Sequence, residues 1–273
     1  MIKKASAGSR RQRLSAKEMI AQLPIANRIA SAKRIVDRVV HHLLYVLELH
    51  ANNAIVLYSP TLSSQIPTSH AANAFIVFRN GLHQFEIVRL CALWDTADLE
   101  KENITTLVEL IDHPDVIETL AREAQAYRAN QSVGHILNEP EDADLRELVV
   151  ETLRLDNIKQ GEIEAERVRT DLRQAISDGR AILASSKHAS IMNIRDKHLA
   201  HSLTQTKRER KMMGAIAPMK YGDERDILND TLPVVEKLLR GIAGKGFDFE
   251  NSRRIDPDNA QALWGACTFK IER

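Results

Sequence analysis

The sequence predicts an all-α fold, an elongated helical bundle of long antiparallel helices, and three observations carry that prediction. Apolar residues recur every three or four positions over stretches much longer than a strand. Aromatic residues make up only 4% of the 273 residues, while Ala, Leu, Ile, Glu and Arg dominate. Glycines and prolines gather at breaks between the periodic stretches instead of recurring at strand-and-turn intervals. With 44% hydrophobic and 27% charged residues, the chain can bury a substantial core.

Residues 1–13 hold Lys3, Lys4, Arg10, Arg11 and Arg13 with no acid among them, and are expected as a disordered basic tail. Ser15 with Glu18 forms a capping-box pattern for a short first helix, and Pro24 sits where a second can begin. From Ile25 to about Tyr58, Ile29, Val36, Val39, Val40, Leu43, Val46, Leu47 and Ile55 keep helical spacing. Ser59, Pro60 and Pro67 close that helix. Phe75, Phe78, Leu82, Phe85, Val88 and Leu93 then mark a third, expected antiparallel to the second across a short loop. Its polar stripe Arg79, His83 and Glu86 is expected on the outer face, or in support of residues 187–202 if this helix packs against them.

Asn103 can cap a short helix ending near Ile111, and Pro114 opens another reaching about Arg128. Residues 132–142, with Pro140, are expected as a loop. Helical spacing resumes from Leu145 to about Ala184, with an interruption expected near Gly161. A further helix is expected from about Lys187 to Ser202. Residues 204–221 read as a basic, proline-broken connection before a helix from Asp223 to about Ile242, which tolerates Pro233 with a kink or a restart. Gly241, Gly244 and Gly246 end it, and Asp256-Pro257 opens a last short helix. No linker is long enough to separate two cores, so residues 14–273 are expected as a single domain.

Charge and cysteine usage narrow the function classes. The net charge is +1, so whole-chain charge argues for neither nucleic acid nor membrane, and any such partner needs a local patch. Cys91 and Cys267 are far apart and lack the spacing of a zinc or redox motif, which fits a reducing, cytoplasmic setting. No secretory signal and no run of about 18 apolar residues occurs, so no membrane association is expected.

The chemistry-bearing stretch is Arg195-Asp196-Lys197-His198-Leu199-Ala200-His201-Ser202. On an α-helix Arg195, His198 and His201 share an arc of about 120°. Along the axis Arg195 and His201 would stand about 9 Å apart, a gap that a homodimer with its twofold near this helix would close better than one helix can. The three-residue spacing of the histidines is also that of paired metal ligands. No HExxH occurs and Asp196 points elsewhere, so neither a metal nor a cofactor is expected.

This pattern resembles the Arg-x(4–6)-His signature of HEPN domains. The words around it, together with Tyr221-Gly222-Asp223-Glu224-Arg225, resemble the branch related to the U-type abortive-infection proteins of bacteria, most strongly over residues 70–245. The resemblance implies a helical bundle that dimerises and cuts RNA without metal, in phage defence or beside an antitoxin protein. It carries over Arg195 and His201 as catalytic residues with Asp196 as polar neighbour, and His198 as an addition. Imidazole transfers protons near neutral pH, and guanidinium holds phosphate oxygens while keeping its charge. His201 is therefore expected to move protons, Arg195 to stabilise phosphate charge, and the products to carry 2′,3′-cyclic phosphate and 5′-hydroxyl ends. Lys207, Arg208, Arg210 and Lys211 are expected either to guide RNA or, interrupted by Glu209, to form a solvated connection. The alternative function is a HEPN module that binds RNA or protein without cutting.

Overall fold

The structure, a computed structural model, describes residues 14–131 and 142–271. The expected basic tail and nearly all of the loop expected over 132–142 lie outside them. Among the described residues the helical periodicity is realised as eleven α-helices and one π-helical turn, with no strand.

Helix α1 (Ala16–Ala21) begins with the full Ser15/Glu18 capping box. Helix α2 (Ile25–Tyr58) is the axis of the bundle, touching α4, α5, α6, α10 and α11 along its length. It can do so because it buries a broad apolar face along its length, with Ile35, Val36, Val39, Leu43 and Val46 at 0% exposure within an arc of about 100°. A single turn, α3 (Pro60–Ser63), occupies the connection to α4 (His70–Leu93). Helices α2 and α4 run antiparallel as expected, with Tyr45 edge-on to Phe85 and Asn53 reaching the Leu82 carbonyl.

Asn103 caps α5 (Ile104–Ile111), and Pro114 occupies the first turn of α6 (Pro114–Ala129). Buried Arg28 of α2 donates to the carbonyls of Leu110, Glu109 and Asp112, satisfying acceptors that the end of α5 leaves unpaired. Helix α7 (Ala143–Ala184) spans 42 residues and lies antiparallel to α6, with Arg169 paired to Glu118. Gly161 does not interrupt it. A Cβ there would stand 2.8 Å from the Gln125 carbonyl oxygen, so the glycine lets α6 and α7 approach instead of breaking the helix.

Helices α8 (Ser186–Ile194), α9 (Lys207–Met212), α10 (Asp223–Ala243) and α11 (Phe249–Ala266) complete the chain. Pro233 is tolerated within its helix without a restart, whereas Pro257 does not open its helix as expected. Pro233 lies within one continuous α10, where its neighbours Val234 and Val235 are fully buried and packing holds the helix despite the missing donor. Pro257 lies inside α11, which starts earlier because the Asp248 side chain caps it at the Asn251 amide. A connected apolar core draws on α1, α2, α4 to α8, α10 and α11. At its centre the Trp94 indole donates to Thr231 Oγ1 at 2.9 Å, joining the end of α4 to α10.

Candidate functional site

Ser185 caps α8 by accepting from the His188 amide, and the helix then buries Ile191 and Met192. At Arg195 its hydrogen bonding widens. The Ala200 amide donates to the Arg195 carbonyl five residues back at 2.8 Å, making Arg195–Leu199 a π-helical turn. Leu199 thereby reaches and packs against the core. The helix expected over Lys187–Ser202 is therefore shorter, and the uniform projection of Arg195, His198 and His201 onto one α-helical face does not hold. The register changes at Arg195, and His201 lies beyond the turn in the following loop.

The π turn sets Arg195 against the end of α4. Its Nε and Nη2 donate to Asp196 Oδ1 at 2.8 and 2.6 Å, and its Nη1 stands 3.5 Å from Asp95 Oδ1. The guanidinium is half-buried. Burial opposes its charge, but Asp196, Cys91 and Asp95 outweigh that and hold its pKa above the ordinary value. Asp95 is also fixed by Lys101 at 2.9 Å and by the Thr96 amide, and its carboxyl sits below the usual range although burial works against that. Behind them Cys91 has its thiol pushed up to about 12, mainly by burial. That thiol is an inert wall, with its Sγ 3.6 Å from the Ile191 carbonyl. His188 is buried against the Trp94 ring, its pKa pushed down to about 4 by burial and then by the Arg208 guanidinium.

A second set of bonds clamps the loop that carries His201. Asn193 Nδ2 and Lys197 Nζ both donate to Glu209 Oε1 at 3.1 Å, and Thr206 Oγ1 donates to Asn193 Oδ1 at 2.7 Å. Thr206 and Glu209 also form a complete capping box for α9. These bonds, the Thr206 amide first, hold the Glu209 carboxyl down to about 2. The Leu203 amide donates to the Lys197 carbonyl at 3.0 Å. Helix α9 and the clamp were missed at the level of sequence, although Thr206-x-x-Glu209 is a capping-box signal that could have revealed both.

Of the predicted residues, the structure brings together Arg195 and Asp196. His198 and His201 are exposed and, among the described residues, neither bonds to the Arg195–Asp196 pair. The basic run divides. Arg208 turns inward, half-buried and near His188, whereas Lys207, Arg210 and Lys211 are exposed. The stripe expected on the outer face of α4 instead points inward at Glu86, 1% exposed, because α2 offers it His50 and Asn53 as partners. Among the described residues no group of three or more His, Cys, Asp and Glu is placed to hold a metal ion. No helix among them is long and apolar enough to cross a membrane.

A family model for HEPN proteins, described as AbiU2, matches residues 29–263. No curated protein and no solved structure matches the chain. The matched segment extends beyond residues 70–245 on both sides, taking in nearly all of α2 and most of α11. Covering most of the sequence, including the π turn and the clamp behind it, that match shows that the chain belongs to the AbiU2 family of HEPN proteins.

Proposed function

We propose that this chain is a metal-independent endoribonuclease of a phage-defence or toxin–antitoxin system, acting in the cytoplasm. The observation that carries the reading is Arg195. It is a permanent cation, half-buried and aimed by two carboxylates, with the exposed imidazole of His198 in the same turn and that of His201 in the clamped loop beyond it. In the reaction His201 accepts the ribose 2′-hydroxyl proton, and the 2′-oxygen bonds to phosphorus. The bond from phosphorus to the 5′-oxygen breaks, and a second imidazole, His198 or the other copy's His201, protonates that leaving oxygen. Arg195 stabilises the charge that builds on the phosphoryl oxygens, and Asp196 positions it. Lys207, Arg210 and Lys211, which are exposed, take neighbouring RNA phosphates, whereas Arg208 faces inward toward His188.

Two imidazoles and one guanidinium at a single phosphate are reached most simply by a homodimer. An exposed apolar stripe on α4 supports it. Val77 is 72% exposed and Phe85 44%, and with Gly81 and Val88 they fall within an arc of about 80°. This stripe runs toward Asp95 and the motif, so a second copy seated there would extend the site. An antitoxin protein is the proposed regulator of the pair.

Purified protein incubated with a tRNA pool in EDTA is expected to leave 2′,3′-cyclic phosphate and 5′-hydroxyl ends, and His201→Ala to cut about 100-fold or more slowly. Full activity in His201→Ala would remove the mechanism. A second reading, a HEPN module that binds without cutting, is favoured by one feature: Arg195 is already engaged by Asp196 and Asp95. RNA binding that Arg195→Ala weakens, with no product from wild type, would establish that reading.

A further inference from the structure

The phosphodiester chemistry leaves Tyr221-Gly222-Asp223-Glu224-Arg225 without a role, and the structure gives this segment a distinct one. The Tyr221 ring stacks on His83 with centroids 5.6 Å apart, and meets Tyr58 edge-on at 6.1 Å. Gly222 adopts φ +96°, a left-handed conformation suited to glycine, and its amide donates to Glu224 Oε2 at 3.1 Å. Glu224 is 1% exposed and also accepts from the Tyr58 hydroxyl at 2.7 Å. These contacts fix the first turn of α10 and place Arg225 at a cleft between α2, α10 and α11.

The cleft has a volume of about 480 Å³, within the usual range for small-molecule sites. Its floor is aliphatic, made by Leu47, Ala51, Ala54, Ile55 and Leu228. His50 also lines it, and its Nδ1 lies 2.7 Å from Glu86 Oε1. Glu86 accepts a further bond of 2.5 Å from Asn53 Nδ2, and its side chain is 2% exposed. A carboxylate can only accept, so Nδ1 carries the proton, and Nε2 is the ring nitrogen with no protein partner. At the rim Arg225 is held only loosely, 3.9 Å from Asp226, while Arg253 leans on Glu250 and Asn229. Asp256 has no hydrogen bond or ion pair among the described residues. Burial, and then Glu48, raises its pKa.

A simple anion in this cleft would meet Asp256 and Asp258, and a hydrocarbon would leave the loosely held Arg225 and both carboxylates facing it. A ligand that combines a phosphate, hydroxyl donors and a flat apolar body satisfies every wall. We propose that the cleft binds a nucleoside monophosphate. The phosphate lies at Arg225 and Arg253, the base lies on the aliphatic floor with one N–H donated to His50 Nε2, and the ribose hydroxyls donate to Asp256 and Asp258. This site is separate from the Arg195 cluster and its existence does not depend on the nuclease reading.

Isothermal titration of the full chain with AMP tests the assignment, beside adenosine, ribose 5-phosphate and inorganic phosphate. AMP is expected to saturate one site, and each of the other three to bind about 10-fold or more weakly. Arg225→Ala and Arg253→Ala are each expected to weaken AMP by about 10-fold. Their side chains are 64% and 42% exposed, so neither change threatens folding. The assignment is overturned if none of AMP, GMP, CMP and UMP saturates, or if AMP binds both arginine variants as it binds wild type. Inorganic phosphate binding as tightly as AMP, or saturation by a 5′-phosphorylated oligoribonucleotide alone, overturns it equally. Because RNA cleavage is not read, a negative result here leaves the nuclease reading intact, and an inactive nuclease leaves this one intact.

Discussion

Helix α4 and the turn that follows it carry two ionic clusters, one at Glu86 within the helix and one at Asp95 just past its end, nine positions apart in sequence. At Glu86 the carboxylate is sealed between α2 and α4, and its oxygens are taken by His50 and Asn53. At Asp95 the carboxylate is part-exposed and faces a guanidinium that Asp196 also holds. The difference in depth decides what each cluster can do. Removing one partner from a sealed cluster strands the others without water, so such a cluster fixes how the helices pack. In the open cluster water screens the ion pairs, which contribute little to stability, and the charge remains available to an incoming phosphate.

The contrast can be broken by exchanging the two outcomes. Arg195→Ala should lower RNA cutting about 100- to 1,000-fold while chemical denaturation shifts by no more than about 1 kcal/mol. Glu86→Ala should do the reverse, costing about 2 kcal/mol or more by leaving Asn53 and His50 unsatisfied. Equal stability losses in the two variants would show that depth is not what separates the clusters.

Acid sharpens the comparison, because another sealed group lies directly behind the open cluster. His188 has a folded pKa of about 4, below the ordinary value of about 6.5, so protons prefer the unfolded chain as the pH falls below 6.5. Stability is then full above that pH and declines toward pH 4, by about 1 kcal/mol per unit. His42 shares the direction and the value, through burial and then Arg89. Denaturation measured from pH 7 to pH 4.5 should show this decline, and His188→Leu should remove about half of its slope. An unchanged slope would contradict the assignment. The smallest expected effect is at the clamp, where Thr206→Ala should cost about 1 kcal/mol as a lost cap. It should also increase amide hydrogen exchange over residues 200–206, and unchanged exchange would mean that the loop is held by other contacts.

Much of the bundle was legible in the sequence because local rules and tertiary packing agree there. Ser15, Asn103 and Pro114 open their helices as their side chains dictate, and Gly244 closes α10 in the left-handed conformation. Gly161 and Pro257 misled because other contacts overrode their local preference, a close helix approach in one case and the earlier Asp248 cap in the other. At the candidate site residue types were readable and geometry was not. A fixed advance of about 100° per residue cannot anticipate a π turn, which depends on where Leu199 finds the core. Glu86 was misplaced for a related reason: its partners His50 and Asn53 lie on α2, more than thirty positions earlier in the chain.

The widened turn at Arg195–Leu199 also bears on length tolerance. A residue added to an α-helix either rotates everything after it or is absorbed as one enlarged ring. Here the ring closes at Ala200, and Thr206 is tied back to Asn193 across it, so both ends of the segment are anchored independently of what lies between. The spacing from the guanidinium to the imidazole can therefore grow or shrink by a residue while α8 and α9 keep their places in the bundle.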